Sequence, residues 1–239
     1  MYRERAYRRW VNADGLVTFE VMEKETDLAI SASRDLERQA RSALLTYRKE
    51  IEDYIKLDCA FLTSLEPLSV RAGAPLIIRS MADAAAKAGV GPMAAVAGAV
   101  AEFVGRDLLQ FSGEVIVENG GDIFLRSAKK RVMGIYAGEE SPFTGKLAIE
   151  TGPSEDGIGV CASSGTVSHS LSFGKSDAVV IMADEAALAD AVATASGNML
   201  KSSMDIEKAI DFARSVEGVN GALVIIKDKM GSWGGIKLV

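Results

Sequence analysis

Histidine and cysteine are scarce in this 239-residue chain, and each scarcity excludes a class of chemistry. One histidine, His169, cannot build a histidine-rich zinc cage. Cys59 and Cys161 form no Cys-x-x-Cys pair and are widely separated, so neither a metal cluster nor a disulfide framework is expected. Positive charge is not in excess either: 27 basic against 33 acidic residues give −6, and no global field draws in nucleic acid. The local exception is Arg3, Arg5, Arg8 and Arg9 among Tyr2, Tyr7 and Trp10, read as edge-strand or solvent-facing residues rather than a nucleic-acid surface. Long apolar runs are missing. The longest small-apolar stretch, 88–101, contains Pro92 and falls short of the roughly 20 residues a membrane span needs. The charged start Met1-Tyr2-Arg3-Glu4 lacks the apolar core of a signal peptide, so a cytoplasmic location and no membrane partner are expected. Gly-x-Gly-x-x-Gly, the P-loop pattern and a Gly-x-Ser-x-Gly elbow around the serines of 163–172 are absent, which removes the usual dinucleotide, P-loop and serine-hydrolase arguments.

What is present describes a folded globule. Hydrophobic residues make up 48% and charged residues 25%, enough apolar surface for one sizeable core, and a single unit over 1–239 is the simpler expectation. Residues 5–11, 16–22 and 26–32 alternate as a small meander with a turn at Asn12-Ala13-Asp14-Gly15. From Arg34 the period changes: Leu36, Ala40, Ala43, Leu44, Tyr47, Ile51 and Ile55 keep the spacing of a long amphipathic helix reaching about Leu57. Leu76 to Ala88 continues in helical composition until Gly89-Val90-Gly91-Pro92. A further helix is predicted from Met93 to Leu108, so rich in alanine and glycine that it can pack closely at the centre.

After Gly113 the pattern becomes strand-like, with runs at 114–117, 123–125, 132–137, 146–150, 158–162 and 178–182. Asp184 is a candidate cap for a helix to about Met199. A helix over 205–216 and strands at 221–227 and 233–239 close the chain. Helices combined with antiparallel signals predict an α+β fold in layers. Open strand edges in such a fold lead us to expect a homodimer that covers one.

The candidate chemistry is concentrated at a few positions. In Glu118-Asn119-Gly120-Gly121-Asp122-Ile123 a glycine turn links two apolar runs; Asn119 and Asp122 offer oxygens, and Gly120 and Gly121 let backbone amides approach phosphate oxygens. The same letters also describe a tight hairpin. Asp190 and Thr194 are four apart on a helix, on one face, and together offer two oxygen ligands to Mg²⁺; an exposed Asp and a helix-bonded Thr would read identically. Ser163, Ser164 and Gly165 form a polar bend leading to His169, a candidate base or ligand-gripping residue, or equally a surface-loop histidine.

In order, these segments resemble the ApbE-like superfamily, whose flavin transferases move FMN from FAD onto a protein threonine. Asn119-Gly120-Gly121-Asp122-Ile123 is similar to the family's Asn-Ala-Gly-Gly-Asp-Ile, one residue shorter, and Ala189-Asp190-Ala191-Val192-Ala193-Thr194 to its Ala-Asp-Ala-Leu-Ala-Thr helix. Ala162-Ser163-Ser164-Gly165 looks like its Ala-Thr-Ser-Gly turn. The resemblance covers about residues 90–200. It implies a layered antiparallel α+β architecture, Mg²⁺ at Asp190 and Thr194, an active-site role for His169, and FAD or FMN as the small-molecule ligand, gathered by Asn119, Gly120, Gly121, Asp122, Ser163, Ser164 and Gly165. Two segments depart from the family. Ser170-Leu171-Ser172-Phe173-Gly174-Lys175 stands where active transferases carry the continuation of His-x-x-Asp-Pro-x-Thr-Gly, and no Lys-Gly pair precedes Met93. The chain therefore resembles a divergent branch. Three readings stay open: a flavin- or nucleotide-handling enzyme with Mg²⁺-dependent phosphoryl or FMN transfer, a noncatalytic small-molecule binding module, and a structural or interaction protein.

Overall fold

A computed structural model describes residues 11–138, 141–164, 174 and 176–239. The chain enters through a bridge between Val11 and Met133 and forms the hairpin β1 (Val17–Glu23) and β2 (Thr26–Ala32). Four helices follow: α1 (Glu37–Leu57), the short α2 (Ala60–Thr63), α3 (Leu76–Ala88) and α4 (Val96–Leu108). Strands β3 (Val115–Asn119), β4 (Asp122–Ser127), β5 (Arg131–Gly134), β6 (Ala148–Thr151), β7 (Ser154–Ser163) and β8 (Ala178–Ala183) come next. The chain closes with α5 (Ala186–Met199), α6 (Ile206–Ser215), β9 (Val219–Ile226), β10 (Lys229–Gly234) and β11 (Lys237–Leu238).

The predicted α+β layers are present, and among the described residues every strand pair is antiparallel. Eight strands form one sheet in the order β1-β2-β3-β4-β7-β8-β9-β10, and a second sheet has the order β11-β6-β5. Helices cover one face of the large sheet. There Leu44, Ile77, Ile78, Met81 and Val104 from the helices meet Val117, Phe124, Cys161 and Val179 in one core. On the opposite face Ile116, Leu125, Val180 and Ile225 pack against Met133 and Ile149 of the small sheet. Each fully buried aliphatic or aromatic side chain of this kind stabilises the fold by roughly 1.5–3 kcal/mol.

Punctuation in the sequence explains several boundaries. Gly89 ends α3 in the left-handed conformation at φ 70°, which a residue without Cβ adopts at low cost. Pro92 then opens a 3₁₀ turn, Pro92–Ala95, as its fixed φ and missing N–H favour. The helix predicted from Met93 is thus divided, and α-helical geometry begins only at Val96. The last predicted strand, 233–239, is also two strands. Gly234 turns the chain at φ 75°, and a Cβ there would lie 2.2 Å from Asn220 O, so β10 leaves the large sheet and β11 joins the small one.

Close approach at the centre explains the small-residue composition of α4. A Cβ on Gly98 would lie 2.2 Å from the Ala186 carbonyl oxygen, and one on Gly159 would lie 2.3 Å from Ala186 Cα. Backbone therefore lies directly against backbone where α4, α5 and β7 meet. Among the described residues no single helix is long and apolar enough to cross a membrane; α3 and the segment Pro92–Leu108 are bent 105° apart. The basic cluster Arg3, Arg5, Arg8 and Arg9 lies outside the described residues.

Candidate functional site

The glycine turn is a hairpin in which Asn119 pairs with Asp122 across Gly120 and Gly121. Both glycines have positive φ, 68° and 107°, the geometry that a two-residue turn between twisted strands requires. Alternation along β3 and β4 then sends neighbouring side chains to opposite faces of the sheet. Asn119 and Asp122 face the helices, whereas Glu118 and Ile123 face away from them.

Asn119 Nδ2 donates to the Ala97 carbonyl at 3.0 Å, tying the turn to the start of α4. The amide of Gly121 donates to Glu118 Oε1 at 2.8 Å. One of the amides expected to face phosphate, the Gly121 N–H, thus has a carboxylate acceptor within the hairpin. Glu118 is itself only 3% exposed.

Asp122 and Asp190 come together from elements 68 residues apart in sequence. Asp122 opens β4 and is buried. Cys161 of β7 is its cross-strand partner in the antiparallel register and a hydrogen-bonding neighbour of its carboxyl. Asp190 lies in α5, partly buried, and its Oδ2 accepts the Gly98 amide of α4 at 2.9 Å. Burial, and then the charge of Asp190, push the Asp122 carboxyl well above the usual carboxylate range. Burial raises Asp190 to about 7, against the opposing effect of the Gly98 and Ala97 amides. Burial also raises the Cys161 thiol, with both carboxylates adding to the effect, so Cys161 is a neutral donor to the Ala186 carbonyl at 3.3 Å. Oδ1 of Asp122 is buried without a hydrogen-bond partner, an arrangement that costs free energy unless a proton or a cation meets it.

A second carboxylate bond runs in the other direction between the same helices. Glu102 of α4 accepts the Ala186 amide at 2.7 Å and the Ala187 amide at 3.4 Å, satisfying the first donors of α5. The expected cap, Asp184, instead accepts Asn220 Nδ2 at 2.7 Å, and α5 has no side-chain cap from its own sequence. Each helix start is thus held by a carboxylate from the other: Asp190 for α4, Glu102 for α5.

The remaining sequence candidates are distributed as follows. Thr194 is partly buried one turn beyond Asp190. Ser163 ends β7, buried, opposite Val179, and Ser164 follows it, partly buried. Gly165 and His169 lie outside the described residues. Among the described residues no group of three or more His, Cys, Asp or Glu side chains is arranged to hold a metal. Glu102, Glu118 and the pairing of Cys161 with Asp122 escaped the sequence reading. The available signals were an acidic residue inside a small-residue helix, an acidic residue just before the glycine turn, and the alternation of β7.

Comparison with known proteins matches this geometry at the level of fold. A UPF0280 protein of Methanocella arvoryzae is 41% identical over 212 residues, covering 88% of this chain and 86% of that protein. A UPF0280 protein of Methanococcus aeolicus is 39% identical over 221 residues, covering 90% and 88%. Among solved structures, a mutant of the flavin transferase ApbE from Vibrio cholerae superposes with a TM-score of 0.60 at 13% identity, over 92% of this chain and 97% of that one. The ApbE protein of Thermotoga maritima does so with a TM-score of 0.55 at 16% identity, over 90% and 96%. At such identities the likeness establishes the layered ApbE-like fold. Because the family model described as "AbpE bacteria" matches residues 8–231, the chain belongs to that family, as a divergent member with the ApbE-like fold.

Proposed function

We propose that this protein handles a flavin or nucleotide at the junction of the glycine turn, β7 and α5, with Mg²⁺ assisting phosphoryl or FMN transfer. The observation carrying this reading is the buried, unpartnered Oδ1 of Asp122 near a second, partly buried carboxylate, Asp190. Two adjacent carboxylates in low dielectric favour a cation between them. Mg²⁺ is bound through one or two carboxylates plus waters and substrate phosphates, so the lack of a larger ligand cluster among the described residues fits it. Asp190, Asp122 and Thr194 would hold the ion, with FAD or a related pyrophosphate as its further ligand. Bound there, Mg²⁺ supplies charge neutralisation to phosphate oxygens.

The protein's own groups position and shield the ligand. Asn119 anchors the turn on α4, Asp190 keeps the α4 amides in place, and Ser163 and Ser164 edge the same region. His169, by the family resemblance, would move the proton of an attacking hydroxyl. A second reading, a binding module without transfer, is favoured by Ser170 to Lys175 standing in place of the family's Asp-Pro-x-Thr-Gly stretch. A homodimer covering the sheet edge at β1 or β10, the outermost strands among the described residues, belongs to the proposal, and light scattering giving the mass of one chain would remove it.

The functional test incubates the protein with FAD, Mg²⁺ and threonine-containing acceptor peptides, then weighs products for an added FMN. Calorimetric titration with FAD, with and without Mg²⁺, separates binding from transfer. Asp190→Asn keeps a capping oxygen for α4 but removes the charge, so Mg²⁺-dependent FAD binding should fall while the fold persists. Unchanged Mg²⁺-dependent binding in the folded variant rejects the cation site.

A further inference from the structure

We infer that Glu118 is a positioning residue for the Asp122 carboxylate, acting through the hydrogen bond it accepts from Gly121; this rests on the cation-site reading above. The hairpin places Glu118 two residues before the turn, facing away from the helices, in the wall of a cavity of about 280 Å³ over the face of β1, β2 and β3, beside Val11 and Ala13. Its carboxylate nevertheless reaches the Gly121 amide at 2.8 Å.

The reason this bond matters is conformational. Gly120 and Gly121 stand at φ 68° and 107° and have no side chains to hold them. A Cβ on Gly120 would meet nothing within 4 Å, and one on Gly121 only Ala162 at 3.9 Å. Packing therefore does not fix the turn. Hydrogen bonds from its two flanks do: Asn119 to Ala97 on the helix side, and Gly121 to Glu118 on the opposite side. Asp122 is the next residue along the chain, and the peptide following Gly121 sets where its carboxylate starts. The Gly121 amide belongs to the Gly120–Gly121 peptide; releasing it frees that unit to rotate, which loosens the start of β4, and the Asp122 oxygens lose their fixed position. Glu118 thus acts on a ligand-bearing group as an outer partner does in metal sites, where removing such a partner lowers metal affinity about 10–100-fold.

Two variants separate this geometric role from a simple contribution of negative charge. Glu118→Gln keeps the length and an oxygen acceptor but loses the charge. Glu118→Asp keeps the charge but is one methylene too short to reach Gly121. Affinity for Mn²⁺ alone, as a stand-in for Mg²⁺, is measured by electron paramagnetic resonance, and exchange of the Gly121 amide by NMR. Positioning predicts wild-type Mn²⁺ affinity and slow exchange in Glu118→Gln, with affinity about tenfold weaker and fast exchange in Glu118→Asp. The reverse order of affinities, or equal affinities in both variants, overturns the inference. If the wild-type protein takes no Mn²⁺, the cation reading fails by itself. Exchange then decides: slow in wild type and Glu118→Gln but fast in Glu118→Asp upholds the hold of Glu118 on the turn, and equal exchange in all three refutes it.

Discussion

Replacing Glu102 by alanine tests whether the two central helices are held by each other's carboxylates. Glu102 is 3% exposed, one oxygen receiving Arg106 Nε at 2.8 Å and the other the Ala186 amide at 2.7 Å. Ala186 is fully buried, and α5 has no cap of its own, so the substitution leaves a buried donor unpaired. An orphaned buried amide costs about 1–3 kcal/mol, and loss of a helix cap typically about 1 kcal/mol. Part of this is offset, because burial already disfavours the charged Glu102, whose pKa is raised, and alanine removes that penalty. The orphaned amide and the lost cap are one interaction counted two ways, so after the offset the expected net loss is about 1–2 kcal/mol. With a urea m-value of about 2 kcal/mol/M, the unfolding midpoint should fall by roughly 0.5–1 M at unchanged slope. Glu102→Gln, which keeps one acceptor, should lose about half as much. A midpoint within about 0.25 M of wild type for Glu102→Ala would show that α5 is held by packing alone.

Other expectations follow from the same packing and charge arrangement. Gly98→Ala places a Cβ 2.2 Å from the Ala186 carbonyl and 2.9 Å from Asp190 Cβ, so thermal unfolding should show at least the 1–3 kcal/mol typical of overpacking, roughly, and Mg²⁺-dependent FAD binding should weaken with it. The buried Arg131 holds Glu114 through a 2.6 Å ion pair, and its hydrogen bond lowers the Glu114 pKa below the usual 4.5. A depressed folded-state pKa stabilises above the unfolded value and is lost as pH falls through the folded one. Urea midpoints should therefore drop on acidification below pH 4.5, and Glu114→Gln should flatten that part of the profile; an unchanged acid slope would remove Glu114 from the account. Gly91→Ala puts a Cβ 1.8 Å from Ser64 O, backbone that cannot swing aside, and should lower the melting temperature more than a substitution at the open Gly113.

How far the chain could be read without coordinates depends on the range of each interaction. Periodicity and punctuation are local. Leu76 to Ala88 and its stop at Gly89, the strand at Ala178, and the hairpin at Gly120-Gly121 were legible because the required φ values and alternations belong to a few consecutive residues. The family resemblance was legible for the same reason, since its motifs are short segments in a fixed order. What the structure alone decided are pairings across distance. Asp184 has the letters of a cap, yet α5 is capped from 84 residues away by Glu102, because backbone amides donate to whichever carboxylate packing delivers. Asp122 meets Cys161 through strand register and Asp190 through helix packing, and no spacing in the sequence encodes either meeting. The turn's amide looked open to phosphate until Glu118, reaching back from the other side of the sheet, proved to be its acceptor. Local chain stiffness is written in neighbouring residues; the electrostatics of the site arise only when the layers close and water leaves the space between them.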